Sequence, residues 1–269
     1  MNASGREGSP SHAPSTDALV SRLRAAGCVF AEEEAELLAA AADTPERLAD
    51  LVERRVAGLP LEHLLGWAEF CGLRVGVDPG VFVPRARTAL LVSAAAAVTG
   101  PGAAVLDLCC GSGAAALVLA GRLRPRWLAA ADLDPAAVAC ARRNLAHLGV
   151  PVYQGDLYEP VPTEWRGRLD LIVANAPYVP TEAVALMPPE ARLHEAPVAL
   201  DGGSDGLAVL RRVARGAVHW LAPGGHLAVE AGAGQVEVLC AALADLGLTP
   251  SVAYDEELDA TAVTARRPG

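Results

Sequence analysis

Apolar positions change their period along the chain. Over residues 16–65 they recur with a helical spacing that predicts helices at 17–26 and 31–42 and a third beginning at Thr44-Pro45-Glu46. Thr44 caps that third helix, Pro45 takes its first turn and Gly58 closes it. Three or four short helices of this kind form a bundle too small to be very stable alone but adequate when packed on a larger domain. Residues 68–84 carry no helical period. Gly72, Gly76, Pro79 and Gly80 stand there among Phe, Val and Leu, which predicts a hairpin-like linker.

Beyond the linker, short apolar runs alternate with amphipathic stretches. Strands are predicted at 103–108, 127–131, 150–153, 169–174 and 226–230, and helices at 114–122, 135–148 and 206–221. The alternation specifies an α/β fold, a mostly parallel sheet with helices on both faces, whose ligands bind at the carboxyl ends of the strands. A helix over 235–246 and strands at 250–254 and 261–265 complete it with an antiparallel edge pair, giving seven strands in a Rossmann-like arrangement.

Composition narrows the possibilities. The 269 residues, 52% of them hydrophobic, allow one large domain plus a small satellite. The net charge is −10 and all 22 basic residues are Arg, so no broad basic face is expected for stable nucleic-acid binding. Six scattered cysteines lack C-x-x-C spacing and a neighbouring His tract. They read as reduced core thiols of a cytoplasmic protein, with neither disulfides nor a metal site. Residues 1–14 are polar and rich in Ser, Pro and Gly, and read as a disordered tail without the apolar core of a signal peptide. The most apolar window, 88–98, falls short of the roughly 20 residues that a membrane span needs.

Two loops carry the chemistry. Val105-Leu106-Asp107-Leu108-Cys109-Cys110-Gly111-Ser112-Gly113 is a buried strand turning through two glycines into a helix, so backbone N–H groups face whatever lies above the strand. Gly111-Ser112-Gly113-Ala114-Ala115-Ala116 also fits the dinucleotide pattern, with Asp132 at the required distance. Asp107 speaks for S-adenosylmethionine instead. Inside the strand it would repel a pyrophosphate but can serve the ammonium of a methionine moiety. Asp132 accepts from ribose hydroxyls of either cofactor, while Asp134 caps the helix that begins at Pro135. Asp156 follows the third strand and is placed to accept from an adenine amino group, with Leu157 covering the ring.

The second loop is Asn175-Ala176-Pro177-Tyr178, at the end of the fourth strand. A planar NH2 group is a poor nucleophile because its lone pair is delocalised, and methyl transfer requires that lone pair to point at the methyl. The Asn175 side-chain oxygen and the Ala176 carbonyl can take both N–H bonds and orient the nitrogen, and Tyr178 can pack over the flat acceptor. That acceptor is the amide of a protein or an exocyclic amine of a nucleic-acid base. A nonenzymatic sensor of either cofactor is the third class, since a glycine loop alone serves binding as well as transfer.

With these motifs stand Leu61-Glu62-His63-Leu64-Leu65-Gly66, Pro79-Gly80-Val81-Phe82-Val83-Pro84-Arg85, Pro188-Pro189-Glu190-Ala191-Arg192 and Ala199-Leu200-Asp201-Gly202-Gly203-Ser204-Asp205-Gly206-Leu207. In this combination the chain resembles the release-factor glutamine N5-methyltransferases. The resemblance implies a class I methyltransferase domain over 85–269, a hairpin linker over 68–84 and a helical substrate-docking domain over 15–67. It implies S-adenosylmethionine as cofactor, contacted by Cys109, Cys110, Gly111, Ser112, Gly113, Asp132, Leu157 and Asn175. It implies as substrate the glutamine of the Gly-Gly-Gln loop in class I peptide chain release factors, held by Asn175, Ala176, Pro177 and Tyr178. The chain departs from the family at Ala176, where a first Pro is usual, at Arg85-Ala86-Arg87-Thr88-Ala89, which lacks the usual acids, and at Cys109-Cys110, which replace smaller residues.

Overall fold

A computed structural model of the protein describes residues 16–269, so the tail expected over 1–14 lies outside the described residues. The described chain divides into two compact units, the first ending at Leu65 and the second spanning Gly66–Gly269.

The first unit holds α1 (Thr16–Ala25), α2 (Ala31–Ala41), α3 (Pro45–Val56) and α4 (Leu61–Leu65). The Thr44 hydroxyl accepts from the Arg47 N–H at 3.1 Å, which satisfies one orphan donor at the start of α3. Gly58 lies in the left-handed region at φ +95° and donates to the Arg55 carbonyl at 2.9 Å, closing the helix end. Leu19, Leu23, Leu38, Leu51 and Val52 form its core. Beside them the buried Arg55 donates through Nε to the buried Glu34 at 2.6 Å, so removing either partner would strand a charge.

The second unit opens with a hairpin of β1 (Trp67–Phe70) and β2 (Leu73–Gly76), shorter than the linker span expected from the sequence. Phe70 and Val75 belong to this unit's core, so the hairpin is part of the larger body. There follow α5 (Thr88–Ala97), β3 (Ala104–Leu108), α6 (Ala114–Leu123), β4 (Trp127–Asp132), α7 (Pro135–Leu145), β5 (Val152–Gln154), β6 (Leu169–Ala174), α8 (Thr181–Val184), α9 (Pro189–His194), α10 (Ala208–Trp220), β7 (Leu221–Glu230), α11 (Val236–Asp245), β8 (Thr249–Asp255) and β9 (Ala260–Arg266). The sheet order is β5-β4-β3-β6-β7-β9-β8, parallel except for β9, which runs antiparallel to both neighbours. The seven-stranded, mostly parallel sheet read from the sequence is therefore present.

Two differences have simple causes. The window 88–98, weighed only for membrane length, forms α5, which buries Leu91, Val92 and Ala95 against the sheet. Strand β7 begins five residues earlier than its apolar run, because Leu221 pairs with Leu169 ahead of an irregularity at Pro223-Gly224-Gly225. Among the described residues no helix is long and apolar enough to cross a membrane.

Side-chain alternation sorts the core into two layers. Leu106, Leu108, Ile172, Ala174, Leu227 and Val229 face α10 and α11, whereas Val105, Leu171, Val173 and Ala228 face α5, α6 and α7. Asp107 falls on the second face, directly under the start of α6.

Candidate active site

Strand order places the carboxyl ends of β5, β4, β3 and β6 side by side, and they open into one cavity of about 660 Å³. Residues from the segments 82–88 and 187–201 complete its wall.

Beneath it the glycine loop turns sharply. Cys109 and Gly111 both sit at φ +54° and Gly113 at φ +80°, a left-handed sequence that favours glycine and strains Cys109. A Cβ on Gly111 would meet no atom within 4 Å, so the chain leaves open space there, whereas one on Gly113 would press on Leu145 at 3.1 Å. Two carboxylates hold the turn from below. Asp132 Oδ2 accepts from the Gly111 N–H at 2.8 Å and Oδ1 from the Asp134 N–H at 2.9 Å. Each oxygen keeps a second lone pair for a ligand. Asp134 accepts from the Ala136 N–H at 2.9 Å, the helix cap read from the sequence. Asp107 Oδ2 accepts from the Ala116 N–H at 3.0 Å and is fully buried, which pushes its pKa up to about 7. Burial, with Asp132 and Asp107 nearby, also pushes the Cys109 and Cys110 thiols up, so both stay protonated.

At the β5 end the Asp156 carboxylate is ion-paired with Arg212 of α10 at 2.5 Å, a partner that its loop position did not reveal. Leu157, at φ +49°, lines the cavity beside it.

The β6 end is held differently, by side chains distant in sequence. The Asn175 amide nitrogen donates to the hydroxyl of the buried Thr88 at 3.1 Å, which leaves Asn175 Oδ1 as the acceptor of that amide. Ala176 is buried and lines the cavity with Pro177. The Tyr178 hydroxyl donates to Glu230 Oε1 at 2.8 Å, and its carbonyl accepts from Gln235 Nε2 at 2.8 Å. Burial, together with the Glu230 charge, pushes the Tyr178 hydroxyl pKa up. Burial likewise raises Glu230, against the opposing pull of the Tyr178 and Thr88 hydroxyls and the Arg87 charge.

Two blocks of sequence brace this loop. Val179 donates to the Leu200 carbonyl at 3.2 Å and its own carbonyl accepts from the Gly202 N–H at 2.8 Å. Side chains at Gly202 or Gly206 would collide with the Pro177 and Tyr178 backbone, so the glycines of the 199–207 block permit this close approach. Glu195, buried, takes the Val83 N–H at 3.1 Å and Arg85 Nη2 at 2.6 Å on one oxygen, fixing the Pro84-Arg85 segment at the cavity wall.

Of the candidate site residues, Asp107, Cys109, Cys110, Gly111, Ser112, Asp132, Asp156, Leu157 and Asn175 through Tyr178 line one cavity, whereas Gly113 does not, because it packs against Leu145 and Ala141 of α7. Sequence reasoning missed Thr88, Glu195, Arg212, Glu230 and Gln235 as supports. For Glu230 a signal existed, since a carboxylate ending a strand whose last four residues are all buried demands a partner. For Thr88 and Glu195 there was none outside the fold.

Residues 72–216 match the family model of the methyltransferase small domain. The release factor glutamine methyltransferase of Geobacter sulfurreducens is 42% identical over 200 residues, covering 72% of this chain and 69% of that one. The 4-amino-L-phenylalanine/4-methylamino-L-phenylalanine methyltransferase of Streptomyces pristinaespiralis is 37% identical over 205 residues, covering 73% of this chain and 69% of that protein. Among solved structures, a methyltransferase from Pyrococcus furiosus superposes with a TM-score of 0.58 at 17% identity, over 74% of this chain and 91% of that one. That last likeness concerns the fold.

Proposed function

Since the chain belongs to the release factor glutamine methyltransferase family, we propose that it methylates the side-chain amide nitrogen of a glutamine, in the Gly-Gly-Gln loop of a class I peptide chain release factor. The observation that carries this reading is the fixed polarity of Asn175, whose nitrogen is spent on Thr88 and whose oxygen is left to accept. With the Ala176 carbonyl it offers two acceptors to a group that has two N–H bonds to give.

The cavity fits S-adenosylmethionine in volume and in chemistry, falling within the usual range for cofactor sites. Asp132 would take the ribose hydroxyls, Gly111 would let the backbone approach closely, and Asp156 and Leu157, which line the same cavity, would receive the adenine. Asp107 serves the methionine end mainly as the brace under α6, because its burial and the Ala116 N–H commit one oxygen. When bound, S-adenosylmethionine supplies an electrophilic methyl group on a sulfonium. Asn175 and Ala176 would hold both amide hydrogens of the glutamine, aim the nitrogen lone pair at the methyl and stabilise the charge developing on the nitrogen. As the N–C bond forms the S–C bond breaks with its electron pair left on sulfur, and the nitrogen then gives up one proton to solvent. Tyr178 covers the flat face of the acceptor and keeps water away from it.

Purified protein with labelled S-adenosylmethionine should label a release factor at that glutamine, read as a methyl mass increment on the fragment. Asn175→Ala should lower turnover by roughly a hundredfold or more while leaving cofactor affinity within about twofold. Persisting turnover in that variant would remove Asn175 from the acceptor site. The relative that acts on 4-amino-L-phenylalanine presents a second planar amine, so the same assay includes that amino acid. Label there, with none on the release factor, would replace the protein substrate by a small aryl amine.

A further inference from the structure

The acceptor loop is oriented from both ends by groups that converge on one buried carboxylate. Glu230 closes β7, is 3% exposed, and takes the Tyr178 hydroxyl on Oε1. Its other oxygen, Oε2, is buried and has no hydrogen-bond partner, and the Thr88 hydroxyl is a neighbouring donor that lowers the carboxyl's proton affinity. Thr88 has one proton and lone pairs on one oxygen. Its oxygen receives the Asn175 amide at 3.1 Å, so its proton is free to go to Glu230. An ionised carboxylate has only acceptor sites, so a Thr88 proton turned to the orphaned Oε2 gives the chain one polarity: Glu230 accepts, Thr88 donates to it and accepts from Asn175, and Asn175 shows its oxygen to the substrate.

The geometry points to Glu230 as the positioning residue that sets the polarity of the acceptor site, through Thr88 to Asn175 and directly to Tyr178. It lies behind the cavity wall and touches no reacting atom. Were it neutral or absent, Thr88 could turn its proton elsewhere, the Asn175 amide could flip, and a nitrogen would replace the oxygen that must meet the glutamine N–H. The specificity for a hydrogen-bond donor as substrate, a planar NH2, therefore originates in a residue 55 positions downstream of the motif that displays it. The inference rests on the glutamine reading only for its activity readout.

The test pairs turnover with a measurement that needs no substrate. Glu230→Gln keeps the shape and replaces one of the two acceptor oxygens by an NH2 donor. It should lower kcat on the release factor by about tenfold to a hundredfold with the S-adenosylmethionine dissociation constant within about twofold. Thr88→Val should do the same, Thr88→Ser should restore activity, and the double variant of Glu230→Gln with Thr88→Val should be no worse than the poorer single one. Wild-type turnover in Glu230→Gln, or additive losses in the double variant, would overturn the assignment. Should Glu230→Gln fail to fold, Thr88→Val and its Thr88→Ser rescue decide alone. In parallel, NMR follows exchange of the Asn175 side-chain amide protons, identified by their disappearance in Asn175→Asp. One of them should exchange at least about tenfold faster in Glu230→Gln and in Thr88→Val than in the wild type. If the wild-type protein labels no release factor, the functional reading fails while this exchange measurement still decides the role of Glu230, and unchanged exchange rejects it.

Discussion

At the glycine turn the chain is held by its own neighbourhood, whereas at the acceptor end it is held from afar. Asp132 ties Gly111 and Asp134, and Asp107 ties Ala116, so two strand-end carboxylates grip backbone N–H groups of the adjoining turns. The acceptor loop relies on Thr88, Glu230 and Gln235, which reach it from other elements. Backbone grips survive side-chain variation in the loop, which explains how Cys109-Cys110 can stand where smaller residues are usual. Side-chain grips depend on every partner, but they can dictate the polarity of a site, which a backbone grip cannot.

Glycine substitutions break the comparison most sharply. Gly206→Ala places a Cβ against the Tyr178 carbonyl and the Gln235 amide at φ +74°, and should cost ~3 kcal/mol in denaturant unfolding along with acceptor turnover. Gly111→Ala has open space for its Cβ, so it should cost only ~1 kcal/mol of left-handed strain yet weaken S-adenosylmethionine binding at least about tenfold by calorimetry. A stability loss at Gly111 larger than at Gly206 would reverse the contrast.

The buried carboxylate at the cofactor end also predicts a pH signature. Burial pushes the Asp107 pKa from its ordinary value of 3.8 up to about 7, so between those values the folded protein retains a proton that the unfolded chain has released. Its contribution to stability is therefore largest at low pH and falls as pH rises through that window. Asp107→Asn should flatten the decline of Tm between about pH 4 and 7, and an unchanged slope would remove Asp107 as its source. The smallest effect belongs to the rim. Arg212→Gln frees Asp156 from a half-exposed ion pair and should change stability by less than about 1 kcal/mol and cofactor affinity by no more than about threefold.

The same contrast governs what could be read in the sequence. The parallel sheet, the glycine turn and the Asp134 cap were legible because each rests on local rules: apolar runs, left-handed turns and an Asp at the N-cap before Pro135. Strand β7 was cut short because Pro223-Gly224-Gly225 broke its apolar run while pairing across it continued. At the site, Asn175 through Tyr178 announced themselves by residue type, but their supports could not. Thr88 opens an Ala-rich helix and Glu195 follows a polar stretch, and nothing within a few residues of either hints that a loop some 80 to 110 positions away depends on it. The 199–207 block was recognisable as a pattern, and only the fold supplies its reason, the backbone contact that side chains at Gly202 and Gly206 would prevent.

Strand β9 follows β8 in the chain yet lies inside it in the sheet, between β8 and β7. During synthesis β7 therefore carries an open edge, and Glu230 lacks its paired neighbour Ala262, until residues 260–266 emerge from the ribosome. A chain cut short before Ala260 leaves the β7 edge at Glu230 unpaired, and with it the carboxylate that takes the Tyr178 hydroxyl uncovered.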